Sequence, residues 1–217
     1  MGLRVELEPL TECKPNQRGP IISRLYNANA PRLRTDFPHL GELYGTPKDA
    51  IETIKNRQAQ MHQELGFTVC TVVLGWEPDN DREQSLPMRI AGMASHNPHD
   101  LPAAKGERLP GKPGLHLAMW LDINRPPQLK RAGVAIMHAR IDHMVDNPAT
   151  EGRPWTVILP SNTASRRVWE HNGYKGGGYE MSGPPKIYPS IDIKKERILY
   201  VARFTLDELR AQEQTEA

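Results

Sequence analysis

Six consecutive residues in the middle of the chain have the types and the order that suit a phosphate site. They are Lys130, Arg131, Ala132, Gly133, Val134 and Ala135, at the start of a helix that periodicity predicts over 131–145. The first turn of a helix presents N–H groups without intrahelical acceptors and the positive end of the helix dipole. Small residues let an anion approach these amides, and basic side chains add charge. The segment predicts an anion site, although many helix starts look similar.

A second segment lies downstream, where a short β-branched strand breaks at Pro160. Asn162 follows the break, the small Ser165 comes three positions later, and the aromatic Trp169 comes seven positions later. Gly173 then ends the helix and is followed by a tyrosine. Asn162 also has an ordinary explanation as a helix N-cap, as Gly173 has as a C-cap. It is the joint spacing of the two segments that argues against coincidence.

Together the two segments resemble the GNAT superfamily of N-acetyltransferases, which move an acyl group from coenzyme A to an amine. The family pattern at the phosphate helix is Gln or Arg, two residues, Gly, one residue, then Gly or Ala. This chain has Lys130, Gly133 and Ala135 at those positions. The resemblance implies that acetyl-coenzyme A, or coenzyme A itself, is bound as a co-substrate.

The same resemblance implies a set of cofactor-binding residues. Main-chain groups near the end of the strand before the phosphate helix would hydrogen-bond the pantetheine amides, and Asn162 would contact the pantetheine arm. The implied residues are Leu121, Ile123, Lys130, Arg131, Ala132, Gly133, Val134, Ala135, Asn162 and Ser165.

Trp169 is the first predicted catalytic residue, and it stands where the family usually has a tyrosine. That tyrosine donates a proton or a hydrogen bond to the departing thiolate. An indole N–H donates a hydrogen bond but is no general acid at neutral pH. A free thiol has a pKa of about 8.5, so the sulfur can leave without full protonation. Two alternatives stay open: Trp169 contacts the sulfur, or it packs beneath the cofactor arm.

A general base must accept a proton from the amine or from water beside it. Strand alternation over 115–123 places His116 and Asp122 on one face, and these are the two other predicted catalytic residues. His96 and Glu77 are further candidates. Each has an ordinary alternative as a surface or loop-edge group, and an amine that arrives partly neutral needs no base.

The elements that must position these residues alternate along the chain. Strands are expected over 2–8, 67–76, 88–96, 115–123, 155–159, 179–181 and 197–205, and helices over 46–66, 131–145, 162–172 and 206–214. This order predicts an α/β (α+β) fold, a GNAT-like mixed, mostly antiparallel twisted sheet of about seven strands flanked by helices. Two Pro- and Gly-rich segments, 97–114 and 182–190, are expected to be loops.

Composition limits the classes of function that are open to the chain. Its 217 residues suit one domain, predicted over 1–217. The net charge of +2 is too small to favour nucleic acid, and no apolar stretch approaches the roughly 18 residues that span a bilayer. Two cysteines supply neither a disulfide framework nor metal spacing, so no metal site and a cytoplasmic location are expected.

The leading hypothesis is an N-acetyltransferase whose acceptor is a primary amine of a small molecule or a peptide. Residues 26–44 and 182–196 are the expected walls of the acceptor site. The alternative is a catalytically weak or inactive GNAT-like module that binds coenzyme A and has a regulatory role. The oligomeric state stays open, with a homodimer as one option.

Overall fold

The computed structural model describes residues 2–9, 68–78, 84–106, 114–122, 124–170, 179–181, 183–189 and 192–216. The strands are β1 Gly2–Pro9, β2 Thr68–Glu77, β3 Leu86–Pro98, β4 Gly114–Leu121, β5 Arg153–Ile158, β6 Tyr179–Met181, β7 Lys186–Tyr188 and β8 Asp192–Ala202. The α-helices are α1 Gly133–Val145, α2 Thr163–Glu170 and α3 Leu206–Glu216, and a 3-10 turn, Pro127–Leu129, precedes α1. The helix predicted over 46–66 and the proposed acceptor wall at 26–44 lie outside the described residues.

The strands form one sheet in the order β1-β2-β3-β4-β5-β8-β6, and β7 pairs with β8 beside this path. The β1–β2, β5–β8, β6–β8 and β7–β8 pairs are antiparallel, whereas β4 and β5 are parallel. The predicted mixed, mostly antiparallel sheet flanked by helices is therefore confirmed. The expectation of a plain loop over 182–190 is wrong in part, because β7 lies within it. A strand this short gives no detectable alternation in the sequence.

The chain forms two compact units. The first comprises Met1–Ser95 and Met119–Ala132, and the second comprises His96–Ala118 and Gly133–Ala217. The single domain expected over 1–217 stays a prediction.

In the first unit, β1 pairs along its whole length with β2, from Gly2 opposite Glu77 to Pro9 opposite Cys70. Exposed and half-buried residues alternate along β1, as in a strand with one solvated face. In β2 both faces are buried from Cys70 to Trp76. This burial explains the nearly continuous apolar run that marked β2 as a strand.

In the second unit, the three helices and one face of the sheet share a core. Its members are Leu115, Leu117, Met137, Ile141, Met144, Val145, Ile158, Trp169, Ile198, Tyr200, Ala202, Phe204, Leu206 and Leu209. The buried residues of α1 recur at the three- and four-residue spacing from which the helix was predicted. A smaller cluster, formed by Ala104, Trp155, Tyr188 and Leu199, includes side chains from β5, β7 and β8.

A single guanidinium caps the end of α1. Arg210 in α3 donates to the carbonyl oxygens of Met144, Val145, Asn147 and Thr150, at distances from 2.6 to 3.0 Å. The last carbonyls of a helix have no intrahelical donor and carry the negative end of the dipole. Arg210 therefore satisfies both the hydrogen bonds and the charge at this helix end.

We predict that Arg210→Ala lowers the free energy of unfolding by about 3 kcal/mol, because partly buried carbonyls lose a charged donor. Urea unfolding followed by circular dichroism measures the change. Arg210→Lys should recover only part of the loss, since one ammonium group cannot reach all four carbonyls. Gln212→Ala on the exposed face of the same helix is the control, expected within about 0.5 kcal/mol of the parent. An equal effect of the two alanine variants would contradict the capping role.

Candidate functional site

Strands β4 and β5 run side by side only at their beginnings. Their register covers three pairs, from Gly114 opposite Arg153 to His116 opposite Trp155, while β5 stays paired with β8 as far as Ile158. The next carbonyl on β4, that of Leu117, accepts a hydrogen bond from Thr156 Oγ1 at 2.8 Å. Because a buried carbonyl needs a donor, the Thr156 hydroxyl lets the ladder end here without a penalty. Sequence analysis did not identify Thr156.

Helix α1 begins at Gly133, two residues later than predicted. Residues 130–132 form a turn, in which Lys130 N donates to Pro127 O at 3.1 Å and Ala132 N donates to Leu129 O at 3.4 Å. The amides of Gly133, Val134 and Ala135 lie in the first turn of the helix, where no intrahelical acceptor exists. Lys130 and Arg131 are exposed. Every predicted phosphate residue therefore lies in or beside this helix start.

Gly133 has a packing role that sequence analysis did not reveal. A Cβ built on this residue would lie 2.6 Å from Cγ2 of Val168 in α2, a distance that real Cβ atoms do not show. The absence of a side chain thus lets the start of α1 approach α2 closely. Gly133 therefore has two explanations. It allows a phosphate to approach the helix start, and Val168 excludes any larger residue at this position.

A second guanidinium organises the chain just before α1, within the first unit. Arg125 donates to the carbonyl oxygens of Asp122, Leu129 and Lys130 at 2.8, 3.1 and 3.3 Å. These bonds close the segment that leads from β4 to the helix start. Leu121 is the last residue of β4, and Ile123 lies outside the described residues. Arg125 has no sequence signal, because its acceptors are all backbone carbonyls.

Asn162 caps α2, as its ordinary explanation requires. Its Oδ1 accepts from Ser165 N at 3.3 Å, and its carbonyl accepts from Arg166 N at 3.0 Å. The capping bond uses the side-chain oxygen, and an asparagine side chain also has an NH₂ donor. Ser165 contributes to this cap through its backbone amide, which donates to Asn162 Oδ1.

Trp169 lies in the core of the second unit with an exposed fraction of 4%. Its ring centroid is 6.3 Å from that of Tyr200, and the two planes are tilted by 38°. This burial favours packing among the alternatives for Trp169. Its predicted contact with a sulfur atom stays a prediction.

The proposed bases each have structural surroundings of their own. Burial lowers the pKa of His116 from 6.5 to about 4, with smaller contributions from His99 and Arg140, and the imidazole lies 4.6 Å from the Trp155 ring. Asp122 Oδ1 accepts from Asn124 N at 2.9 Å in a turn at the end of β4. A neutral imidazole with so low a pKa is a weak base.

The two further candidates are accounted for in the same way. Glu77 is exposed and pairs with Arg4 at 3.1 Å. His96 is buried, and its ring lies 6.1 Å from that of His143. Neither arrangement singles out a base.

Metal sites and membrane-spanning helices have defined requirements, which the described residues do not meet. No group of three or more His, Cys, Asp or Glu side chains there is arranged to hold a metal ion. In the same ranges, no helix combines the length and the apolar character needed to cross a membrane.

The strand order, the parting of β4 and β5, and the helices that follow each of these strands define the GNAT N-acetyltransferase fold. Solved structures share this fold. The RimL ribosomal L7/L12 α-N-protein acetyltransferase in complex with coenzyme A superposes with a TM-score of 0.57 at 14% identity, over 91% of this chain and 92% of that one. RimJ of Mycobacterium smegmatis, in complex with a CoA-disulfide, gives 0.55 at 15% identity, over 94% and 83%.

A third similar structure is the microcin C7 self-immunity acetyltransferase MccE in complex with acetyl-CoA and AMP. It has a TM-score of 0.54 at 13% identity and covers 91% of both chains. No protein-family model and no curated protein sequence matches this chain. At these identities the likeness establishes the fold.

We predict that Gly133→Ala destabilises the second unit by about 1–3 kcal/mol, because the added methyl overlaps Val168. Chemical denaturation gives the change in unfolding free energy. The double variant Gly133→Ala with Val168→Ala should lose less unfolding free energy than the sum of the losses in the two single variants, since truncating Val168 makes room for the added methyl. Strict additivity would show that the two residues do not meet.

The low pKa of His116 predicts a pH-dependent stability. Between about pH 6.5 and pH 4 the unfolded chain binds a proton that the folded protein does not bind, so stability falls as the pH is lowered through this window. From about pH 7 to about pH 5 the loss due to this residue should be about 2 kcal/mol. His116→Phe keeps the ring contact with Trp155 and should remove that part of the slope in urea titrations. An unchanged slope would show that His116 titrates normally.

Proposed function

We propose that this chain is an N-acetyltransferase that uses acetyl-coenzyme A to acetylate a primary amine of a small molecule or a peptide. The observation that carries the proposal is the parting of β4 and β5 after His116 and Trp155, in a chain whose α1 and α2 follow these strands. RimL and MccE share this fold and were crystallised with coenzyme A and acetyl-CoA, respectively.

The start of α1 suits the pyrophosphate of coenzyme A. The amides of residues 133–135 point along the helix axis away from its body, where the dipole favours an anion. Lys130 and Arg131 are exposed in the preceding turn and would supply positive charge. Ala132 and Gly133 are buried and add no more than one methyl group at this end of the helix.

The pantetheine arm would lie along the part of β4 that β5 no longer pairs. A strand edge left open presents N–H and C=O groups that match the two amides of pantetheine. We assign this role to main-chain groups of Leu121 and Ile123, as the resemblance implies. Asn162 would use its side-chain NH₂ on the same arm while its oxygen caps α2.

The reaction would proceed by direct attack in a ternary complex. The amine nitrogen forms a bond to the thioester carbonyl carbon, the carbon–sulfur bond breaks, and the sulfur leaves as thiolate. The proton lost by the amine goes to a base or to water. A backbone N–H near the end of β4 would polarise the carbonyl oxygen. No nucleophile from the protein is required.

Among the predicted catalytic residues, we assign the proton-accepting role to Asp122 in preference to His116. The turn at Asn124 fixes the Asp122 carboxylate at the end of β4, whereas the His116 ring packs against Trp155. Trp169 would support the cofactor arm by packing, with a hydrogen bond to sulfur as its further proposed role. Asp122→Asn retains the oxygen that accepts from Asn124, so it separates proton transfer from turn formation.

The experiment that tests the function combines binding with turnover. Thermal shift with acetyl-coenzyme A at a hundred times its Kd should reflect about 2.7 kcal/mol of stabilisation. Thiol release is then followed across a panel of peptide α-amines and small-molecule amines. A shift with release supports the enzyme, and a shift without release against the whole panel supports the inactive binding module. No shift would overturn the proposed coenzyme A site.

A matched pair of variants tests the dual role of Asn162. Asn162→Ser keeps a capping oxygen and should leave stability within about 0.5 kcal/mol, whereas Asn162→Ala should cost about 1 kcal/mol. Both lack the NH₂ group, and we expect both to weaken coenzyme A binding about tenfold, as the loss of one hydrogen bond allows. Calorimetry measures the affinity. If Asn162→Ser binds coenzyme A with normal affinity, Asn162 acts only as a helix cap.

A further inference from the structure

Three polar side chains of the second unit form a bracket around α2, which we call the α2 bracket: Arg166, Glu170 and Tyr200. Tyr200 OH donates to Glu170 Oε1 at 2.7 Å. Arg166 donates to the same carboxylate oxygen from Nη2 at 3.1 Å and from Nε at 3.3 Å. The three groups therefore meet at one oxygen atom.

The bracket extends from the sheet to the turn that precedes α2. Arg166 Nη1 donates to Pro160 O at 3.3 Å, just before the capping residue Asn162. At the other end, Tyr200 lies in β8 opposite Thr156 of β5, within the hydrogen-bonded ladder. The sheet thus reaches the turn through a continuous path of polar contacts.

The polar contacts of the α2 bracket and the apolar contacts of α2 fix different parts of the helix. The structure describes α2 over Thr163–Glu170. Trp169 is its buried residue, and Val168 packs at the edge of the core. Both lie in the last turn, so apolar packing fixes the end of the helix and leaves its beginning to the polar contacts.

The protonation states suit a permanent bracket. Burial and the hydrogen bond to Glu170 raise the pKa of Tyr200 above 10, so its hydroxyl remains a donor at ordinary pH. Hydrogen bonds to Tyr200 and Glu170 raise the pKa of Arg166. The contacts should persist across the pH range in which amines react.

We infer that Arg166, Glu170 and Tyr200 are positioning residues that hold the turn before α2, so that Asn162 meets the pantetheine arm of coenzyme A. This inference rests on the proposed function. The bracket touches no reacting atom, and it acts through the place of Asn162. Loss of the bracket should therefore weaken contacts to pantetheine and spare those to the phosphates.

The test compares two ligands by calorimetry: coenzyme A, and adenosine 3′,5′-bisphosphate, which lacks the pantetheine arm and the phosphate that joins it to the nucleotide. Arg166→Lys keeps the charge but cannot bridge Pro160 and Glu170, and should weaken coenzyme A binding about tenfold with the bisphosphate unchanged. Tyr200→Phe keeps the ring packing and should likewise weaken coenzyme A binding relative to binding of the bisphosphate. Arg167→Lys, an exposed neighbour in α2, is the matched control and should change neither affinity.

Equal weakening of both ligands by Arg166→Lys, or no change in either, would overturn the inference while the proposed function stands. If the unaltered protein binds neither ligand, the proposed coenzyme A site fails, and the inference fails with it. A coenzyme A effect confined to the bracket variants supports the positioning role. The double variant with Tyr200→Phe should add little to Arg166→Lys, since both break one path.

Discussion

The early end of the β4–β5 ladder is the constraint on which the rest of this structure depends. Parallel neighbours normally share a continuous ladder, and here the shared part stops after His116 and Trp155. The hydroxyl of Thr156 donates to the carbonyl of Leu117, the first residue of β4 beyond this ladder. β5 loses no support, because β8 continues to pair with it on its other side. The Thr156 hydroxyl and the pairing of β5 with β8 thus stabilise the sheet where the β4–β5 ladder ends.

The two helices that follow these strands are held by different sets of contacts. α1 is long enough to be fixed by its apolar face, and Arg210 donates to its last two carbonyls. In its described part, α2 is held by Trp169 in the core, by polar contacts with the sheet and by its capping asparagine. Gly133 brings the two helices into contact at the end where an anion would bind. If the proposed function holds, the same few contacts in the second unit serve both stability and ligand geometry.

The sequence predicted this fold well, because the two motifs with their spacing and the order of the elements point to one class. Element ends were less accurate: α1 starts at Gly133 rather than Arg131, and β4 ends at Leu121 rather than Ile123. The contacts that shape the site were not predictable. Val168 lies far along the chain from Gly133, and Arg125 binds backbone carbonyls, which leave no trace in residue type. The capping role of Asn162 was foreseen, whereas the meeting of Glu170 and Tyr200 depends on strand register.

The cap on α1 also bears on how the chain is assembled. Arg210 reaches carbonyls that lie 60 to 66 positions earlier in the sequence. When a ribosome has finished α1, the donor for its last carbonyls has therefore not yet been synthesised. In a chain that stops short of residue 210, these carbonyls would lack this donor. The C-terminal helix therefore contributes to the stability of a helix end that is formed much earlier in the sequence.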